Sequence, residues 1–126
     1  MRLKDYDINK FVADIDEDFD VVCVSYETSA GKSNIDVNKI NEVKKSLCLI
    51  FQTVKKSCPD ADLDYSIQHD VDNIYVRIKI LTDSGDWLES DSKIFADCIR
   101  YAGEFKIEPI GNEKMEINFF FNNFIK

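Results

Sequence analysis

Residues 63–80 have the sequence LDYSIQHDVDNIYVRIKI, and this stretch decides the fold class. Apolar side chains at Leu63, Tyr65 and Ile67 alternate with polar ones, and the alternation resumes from Ile74 to Ile80. A period of two is typical of a β-strand with one buried face. Between the two runs, residues 70–73 supply the Asp and Asn that favour turns. The stretch therefore predicts an antiparallel β-hairpin.

The segment before the hairpin has the strongest helical periodicity in the chain. Its apolar residues recur at steps of three and four, which indicates one buried helix face. They are Ile40, Val43, Leu47, Ile50, Phe51 and Val54. We predict a helix from Asp36 to Ser57, ending just before Pro59 because the residue that precedes a proline disfavours helical geometry.

Two shorter elements are predicted upstream of that helix. Residues 8–15 carry apolar side chains at helical spacing, which predicts a short N-terminal helix ended by the acidic run 14–20. Residues 21–26, VVCVSY, are β-branched or apolar at both parities. Such a composition is typical of a strand that is covered on both faces, so a first strand is predicted there.

Downstream of the hairpin, one helix and a second hairpin are predicted. An apolar stripe that includes Ile94, Cys98 and Ala102 favours a helix over residues 90–102, with Gly103 as its C-terminal cap. Residues 105–108 and 115–119 alternate as two more strands. The complete order predicts an α+β fold, namely a ferredoxin-like βαββαβ sandwich with an extra C-terminal strand and a short N-terminal helix.

Length and composition place this fold in one domain, residues 1–126, with residues 1–18 as an N-terminal helical extension. The chain is 44% hydrophobic, enough for a single core. Its longest apolar cluster, residues 47–51, is far shorter than the roughly 20 residues that span a bilayer, so no membrane association is expected. The first residues lack a signal peptide's apolar segment, and a cytoplasmic location with reduced cysteines is expected.

Charge gives the main indication of a partner. The formal net charge is −8, from 16 basic and 24 acidic residues. Such a field repels phosphate backbones and attracts basic surfaces, so we expect a basic protein partner and no direct binding of nucleic acid. The predicted partner-binding residues are acidic side chains in turns, together with one tryptophan. They are Asp60, Asp62, Asp64, Asp70, Asp72, Asp83, Asp86, Trp87 and Glu89.

Three motifs resemble catalytic or ligand sites but lack an essential part. Gly31-Lys32-Ser33 resembles the end of a phosphate-binding loop, yet Tyr26 stands where the first glycine is required. A calcium loop that begins at Asp14 requires glycine at its sixth position and glutamate at its twelfth, where this chain has Phe19 and Ser25. His69 adjoins Asp70 without a recognisable nucleophile. We therefore predict no catalytic residues, no metal site and no cofactor.

These observations favour a small acidic protein-binding module, such as an inhibitor or immunity protein that docks on a toxin or a nucleic-acid enzyme. One alternative is an oligomeric accessory domain that binds a ligand or regulates another protein; a metal-dependent enzyme using the Asp clusters is a third. The C-terminal aromatic cluster offers a homodimer surface in the second case. Its members are Phe119, Phe120, Phe121 and Phe124.

Overall fold

Two long helices and a four-stranded antiparallel sheet make up the computed structural model, which describes residues 1–83, 96, 102 and 104–126. The predicted α+β class is confirmed. A single 3₁₀ turn at Leu3–Asp5 precedes these elements. In chain order they are α1 (Ile8–Ala30), α2 (Val37–Ser57), β1 (Asp62–His69), β2 (Ile74–Asp83), β3 (Glu104–Ile110) and β4 (Lys114–Phe121).

The sheet has the strand order β1-β2-β4-β3, and every neighbouring pair is antiparallel. Tyr65 lies opposite Ile78, which in turn lies opposite Phe119. Both predicted hairpins are confirmed, β1–β2 and β3–β4. The hairpins meet along β2 and β4, which are therefore the central strands.

The predicted strand at residues 21–26 is wrong, because these residues form the second half of α1. Asp7 caps the start of α1 by accepting a hydrogen bond from the amide of Asn9, and Gly31 ends the helix in the left-handed conformation, φ 69°. The acidic run 14–20 does not end the helix as predicted. Gly31 is therefore a helix cap.

The ferredoxin-like βαββαβ order is not confirmed. Both described helices precede the first strand, since the residues assigned to the first strand belong to α1. The predicted helix over residues 90–102 and its cap at Gly103 lie outside the described residues, apart from Ala96 and Ala102. The predicted helix before the hairpin is confirmed as α2, where the side chain of Asp36 accepts a hydrogen bond from the amide of Lys39.

The core lies between the helices and one face of the sheet. From α1 it receives Phe11, Ile15, Phe19 and Tyr26, which recur on one side of that helix. The ring of Phe11 stacks on that of Phe51 in α2, with centroids 4.3 Å apart. Alternate residues of β2 face the helices and are buried, namely Ile74, Val76, Ile78, Ile80 and Thr82.

The C-terminal aromatic cluster belongs largely to this core. Phe119, Phe121 and Phe124 are fully buried, and the ring of Phe124 contacts that of Phe19 at 6.2 Å. Only Phe120 lies on the opposite face of the sheet, where it stacks on Tyr75. The predicted homodimer surface through all four rings is therefore wrong for three of them, because those three are already covered by the chain itself.

The N-terminal residues pair with the edge of the sheet at β1. The amide of Leu63 donates to the carbonyl of Met1, and the amide of Leu3 donates to that of Ala61. Within the described residues, no helix is long and apolar enough to cross a membrane.

Candidate functional site

The predicted docking residues Asp60, Asp62 and Asp64 lie together beside the start of β1, where two cations of the same chain partly offset their charge. Lys4 pairs with Asp60 at 2.9 Å and holds the pKa of that carboxyl below its usual range. The amino group of Met1 lies 3.9 Å from Asp62 and 3.6 Å from Asp64. These three carboxylates therefore present less negative charge than their number suggests.

Asp70 and Asp72 lie in the turn at the other end of β1. Asp70 accepts hydrogen bonds from the amides of Asp72 and Asn73 and from the hydroxyl of Tyr75. These bonds, that from Asp72 first, lower the pKa of Asp70. The carboxylate of Asp70 therefore stabilises the turn.

The structure does not bring the described members of the predicted docking set into one patch. β1 has 8 residues, and a strand rises about 3.4 Å per residue, so its two ends lie roughly 24 Å apart. Asp83, the last residue of β2, lies near Asp60, Asp62 and Asp64. It pairs with Lys114 at 3.7 Å. The remaining three, Asp86, Trp87 and Glu89, lie outside the described residues.

The strongest concentration of negative charge is on α1. This helix carries six carboxylates and one lysine, a net charge of −5, against −8 for the whole chain. Three of the carboxylates hold the helix in place. Asp14 accepts a hydrogen bond from Tyr6, Asp18 accepts one of 2.6 Å from Tyr65, and Asp16 pairs with Lys44 of α2 at 3.0 Å.

The side of α1 away from the core exposes a mixed acidic and apolar surface. Val21 and Val24 are 62% and 64% exposed. Glu17 and Asp20 are exposed beside them and make no ion pair with any described residue. Positions three and four apart share one helix face, so these four side chains form a continuous strip. We call Glu17, Asp20, Val21 and Val24 the outer strip of α1.

Sequence reasoning missed this strip because residues 21–26 were assigned to a buried strand. The available signal was the helical spacing of Phe11, Ile15, Phe19 and Tyr26, which continues through the acidic run. Extending the helix by that spacing would have placed Val21 and Val24 on the side opposite the core.

A second arrangement that the sequence did not reveal joins α1 to β1. The Nε2 atom of His69 shares a hydrogen bond of 2.7 Å with the hydroxyl of Ser25, and its Nδ1 atom lies 3.0 Å from the carbonyl of Asp70. This geometry resembles a nucleophile, a base and an orienting group. Ser25 lies inside α1, however, where its own amide and the next are used in helical hydrogen bonds and cannot stabilise an oxyanion. The contact therefore fastens α1 to β1.

The described surface also has concave regions. A groove of about 410 Å³ lies between α1 and α2, lined mainly by Val12, Ile15, Cys48 and Leu49. A depression of about 330 Å³ lies on the open face of the sheet, and its charged lining mixes Arg77 and Lys106 with three glutamates. Among the described residues, no group of three or more His, Cys, Asp or Glu side chains could hold a metal ion.

No protein-family model, curated protein or solved structure matches the chain significantly.

Proposed function

We propose that this protein is a small acidic protein-binding module that docks on a basic partner protein through the outer strip of α1. The supporting observation is that two valines, 62% and 64% exposed, lie beside two carboxylates that no described cation neutralises. Apolar side chains supply buried area at an interface, and unpaired charge around them selects a partner of opposite sign.

The electrostatics of α1 suit rapid association. A net charge of −5 on one helix raises the local concentration of a cationic partner and speeds encounter, and the effect weakens with ionic strength. Of the other four carboxylates of α1, three are held by Tyr6, Tyr65 and Lys44, and the fourth, Glu27, accepts a hydrogen bond from Ser33. The helix therefore presents its outer strip from a fixed position, which reduces the ordering cost of binding.

The chemistry of the strip also narrows the class of partner. An enzyme that acts on nucleic acid must carry a basic surface to bind phosphates. An acidic module that covers such a surface competes with the nucleic acid, as an inhibitor or an immunity protein would. The proposal in its finer form is therefore an inhibitor or immunity protein directed at a basic toxin or nucleic-acid enzyme.

The carboxylates at the start of β1 take a smaller part in this proposal. Asp60, Asp62 and Asp64 each lie within 4 Å of a cation of the same chain, so a partner must displace that cation to use them. We expect charge reversal at these positions to change the association rate less than charge reversal at Glu17 and Asp20.

The test is site-specific photo-crosslinking in a lysate of the source organism, with the photoreactive residue at position 24. The matched control places it at Val71, which is 65% exposed and lies between Asp70 and Asp72. We expect position 24 to crosslink to a basic protein and position 71 to give no such adduct. Equal crosslinking at both positions, or at position 71 alone, would remove α1 as the docking surface.

The captured partner then allows a kinetic test. The double variant Glu17→Lys/Asp20→Lys should slow association by at least about tenfold at low salt, since charged side chains act mainly on the association rate. The difference from the unmodified chain should shrink as ionic strength rises. An association rate that is unchanged by the charge reversal would overturn the proposal.

A further inference from the structure

We propose that two copies of this chain pair through strand β3, extending the sheet across a two-fold axis that passes beside Ile107. This inference is independent of the docking role of α1. The helix is fastened to β1, through Tyr65 and His69, whereas β3 lies at the opposite edge of the sheet. Partner docking and self-association would therefore use different edges of the molecule.

The two edges of the sheet differ in how they are covered. At β1, the amide of Leu63 donates to Met1, so the N-terminal residues occupy part of the edge. β3 is the last strand in the sheet, and β4 is its one strand neighbour within the described residues. An edge strand presents backbone donors and acceptors to a further strand, and a second copy of the same strand can accept them.

β3 also exposes apolar side chains that a second copy would cover. Ile107 is 51% exposed and Ile110 is 43% exposed. Ile107 has the same parity as Phe105, whose ring contacts that of Phe119 at 4.8 Å, so Ile107 lies on the core side of the sheet. Because Ile107 is half exposed on that side, the apolar layer of the core extends to the outer edge of β3.

The sequence of β3 is self-complementary in charge about Ile107. With the two-fold axis beside Ile107, antiparallel pairing places Lys106 opposite Glu108 of the second copy, and the reverse pair follows by symmetry. Phe105 then lies opposite Pro109, and the two Ile107 side chains lie opposite each other. Lys106 and Glu108 already pair within one chain, so the dimer gathers two positive and two negative side chains in one cluster. Opposite charges on facing residues favour this register over any one-residue shift.

Pro109 removes one backbone donor at each end of this edge pairing and leaves its centre intact. Prolines in sheets lie where no hydrogen bond to the neighbouring strand needs their nitrogen, which favours the outer side of an edge strand. Alternate residues of a strand present their backbone groups to the same edge, so Ile107 would share this outward orientation. In the proposed dimer, the two Ile107 residues then exchange amide-to-carbonyl hydrogen bonds at the axis. The amide of each Phe105 donates to the carbonyl of Pro109 in the second copy, whereas the carbonyl of Phe105 receives no hydrogen bond from Pro109.

The charge pairing gives a test with an internal rescue, measured by sedimentation of the full chain over a range of concentrations. Lys106→Glu places like charges opposite each other, as does Glu108→Lys, and each should raise the dissociation constant of the dimer at least about tenfold. The double variant Lys106→Glu/Glu108→Lys restores opposite charges and should return to within about threefold of the unmodified chain. All three change exposed side chains, so folding is expected to be retained.

A crosslinking test fixes the register. Ile107→Cys brings two thiols together at the axis, and mild oxidation should give a disulfide-linked dimer. The matched control Ile110→Cys places the two thiols roughly 20 Å apart, at about 3.3 Å per residue, and should give none. A chain that stays monomeric at every concentration overturns the proposal. So do a double variant that is not rescued and equal crosslinking at both positions.

Discussion

The acidic residues of the sheet and those of α1 form two different kinds of surface. On the sheet, Glu116 pairs with Lys79 at 3.7 Å and Asp83 pairs with Lys114 at the same distance. On α1, Glu17 and Asp20 have no ion-pair partner among the described residues. The reason is compositional, because β2, β3 and β4 each contain Lys or Arg as well as acids, whereas α1 has six acids and one lysine. The net charge alone therefore does not locate a binding surface. The surface is located by finding which carboxylates have no ion-pair partner within the described chain.

The first prediction separates the two sides of α1. Phe19 is fully buried against Phe124, whereas Val24 is 64% exposed. Phe19→Ala should lower the free energy of unfolding by about 3–5 kcal/mol because it leaves a cavity, whereas Val24→Ala should change it by no more than about 0.5 kcal/mol. Urea unfolding followed by circular dichroism measures both. A loss of several kcal/mol in Val24→Ala would show that the outer strip stabilises the fold, which contradicts its assignment as a docking surface.

The second prediction concerns the attachment of α1 to β1 and its dependence on pH. Tyr65 donates a hydrogen bond of 2.6 Å to Asp18, and burial, followed by that bond, raises the pKa of Tyr65 above its ordinary value. Tyr65→Phe removes a bond to a charged acceptor and should lower the free energy of unfolding by about 1–2 kcal/mol at pH 7.

The sign of the pH effect follows from the raised pKa of Tyr65. The folded protein favours the neutral phenol of Tyr65. The contribution of Tyr65 to the free energy of unfolding is therefore complete below the pKa of tyrosine in the unfolded chain, about 10, and is lost as the pH rises above that value. Between pH 8 and pH 11, the free energy of unfolding should therefore decrease less in Tyr65→Phe than in the unmodified chain. Tyr75→Phe, which removes an exposed hydroxyl bonded to Asp70, should retain most of that loss. Identical alkaline losses in all three proteins would contradict the assignment.

The parts of the fold that could be predicted are those in which one periodicity dominates. In β2, every second residue from Ile74 to Thr82 is buried, and the alternation of apolar and polar residues from Ile74 to Ile80 predicts the strand directly. α2 has most of its apolar residues on one side, and its limits are predicted to within one residue. In these segments the hydrophobic pattern of the sequence agrees with the burial in the folded protein, so the elements can be predicted from the sequence.

The second half of α1 could not be predicted in this way, because its local preference and its tertiary environment conflict. Four of the six residues 21–26 favour strands, yet Val22 and Cys23 pack at the core while Val21 and Val24 face outward. A strand prediction requires all of them to be covered. The candidate site was missed for the same reason, since exposed valines are recognisable only after the helix is extended. The hydrogen bond between Ser25 and His69 joins residues 44 positions apart, which no local pattern reveals.

The last prediction, which has the smallest expected effect, compares a paired carboxylate with an unpaired one on the same helix. Asp16 pairs with Lys44 at 3.0 Å, and its side chain is 53% exposed, whereas Glu17 has no described cation as a partner. Asp16→Asn should lower the free energy of unfolding by about 0.2–1 kcal/mol at low salt, because solvent screens such pairs, and the loss should fall as ionic strength rises. Glu17→Gln should leave stability unchanged or slightly improved, since it removes repulsion within a helix of net charge −5. Thermal unfolding at 20 mM and 500 mM salt distinguishes the two. If Glu17→Gln destabilised the protein as much as Asp16→Asn, Glu17 would have a partner in the folded chain, and the contrast between unpaired and paired carboxylates would fail at its central residue.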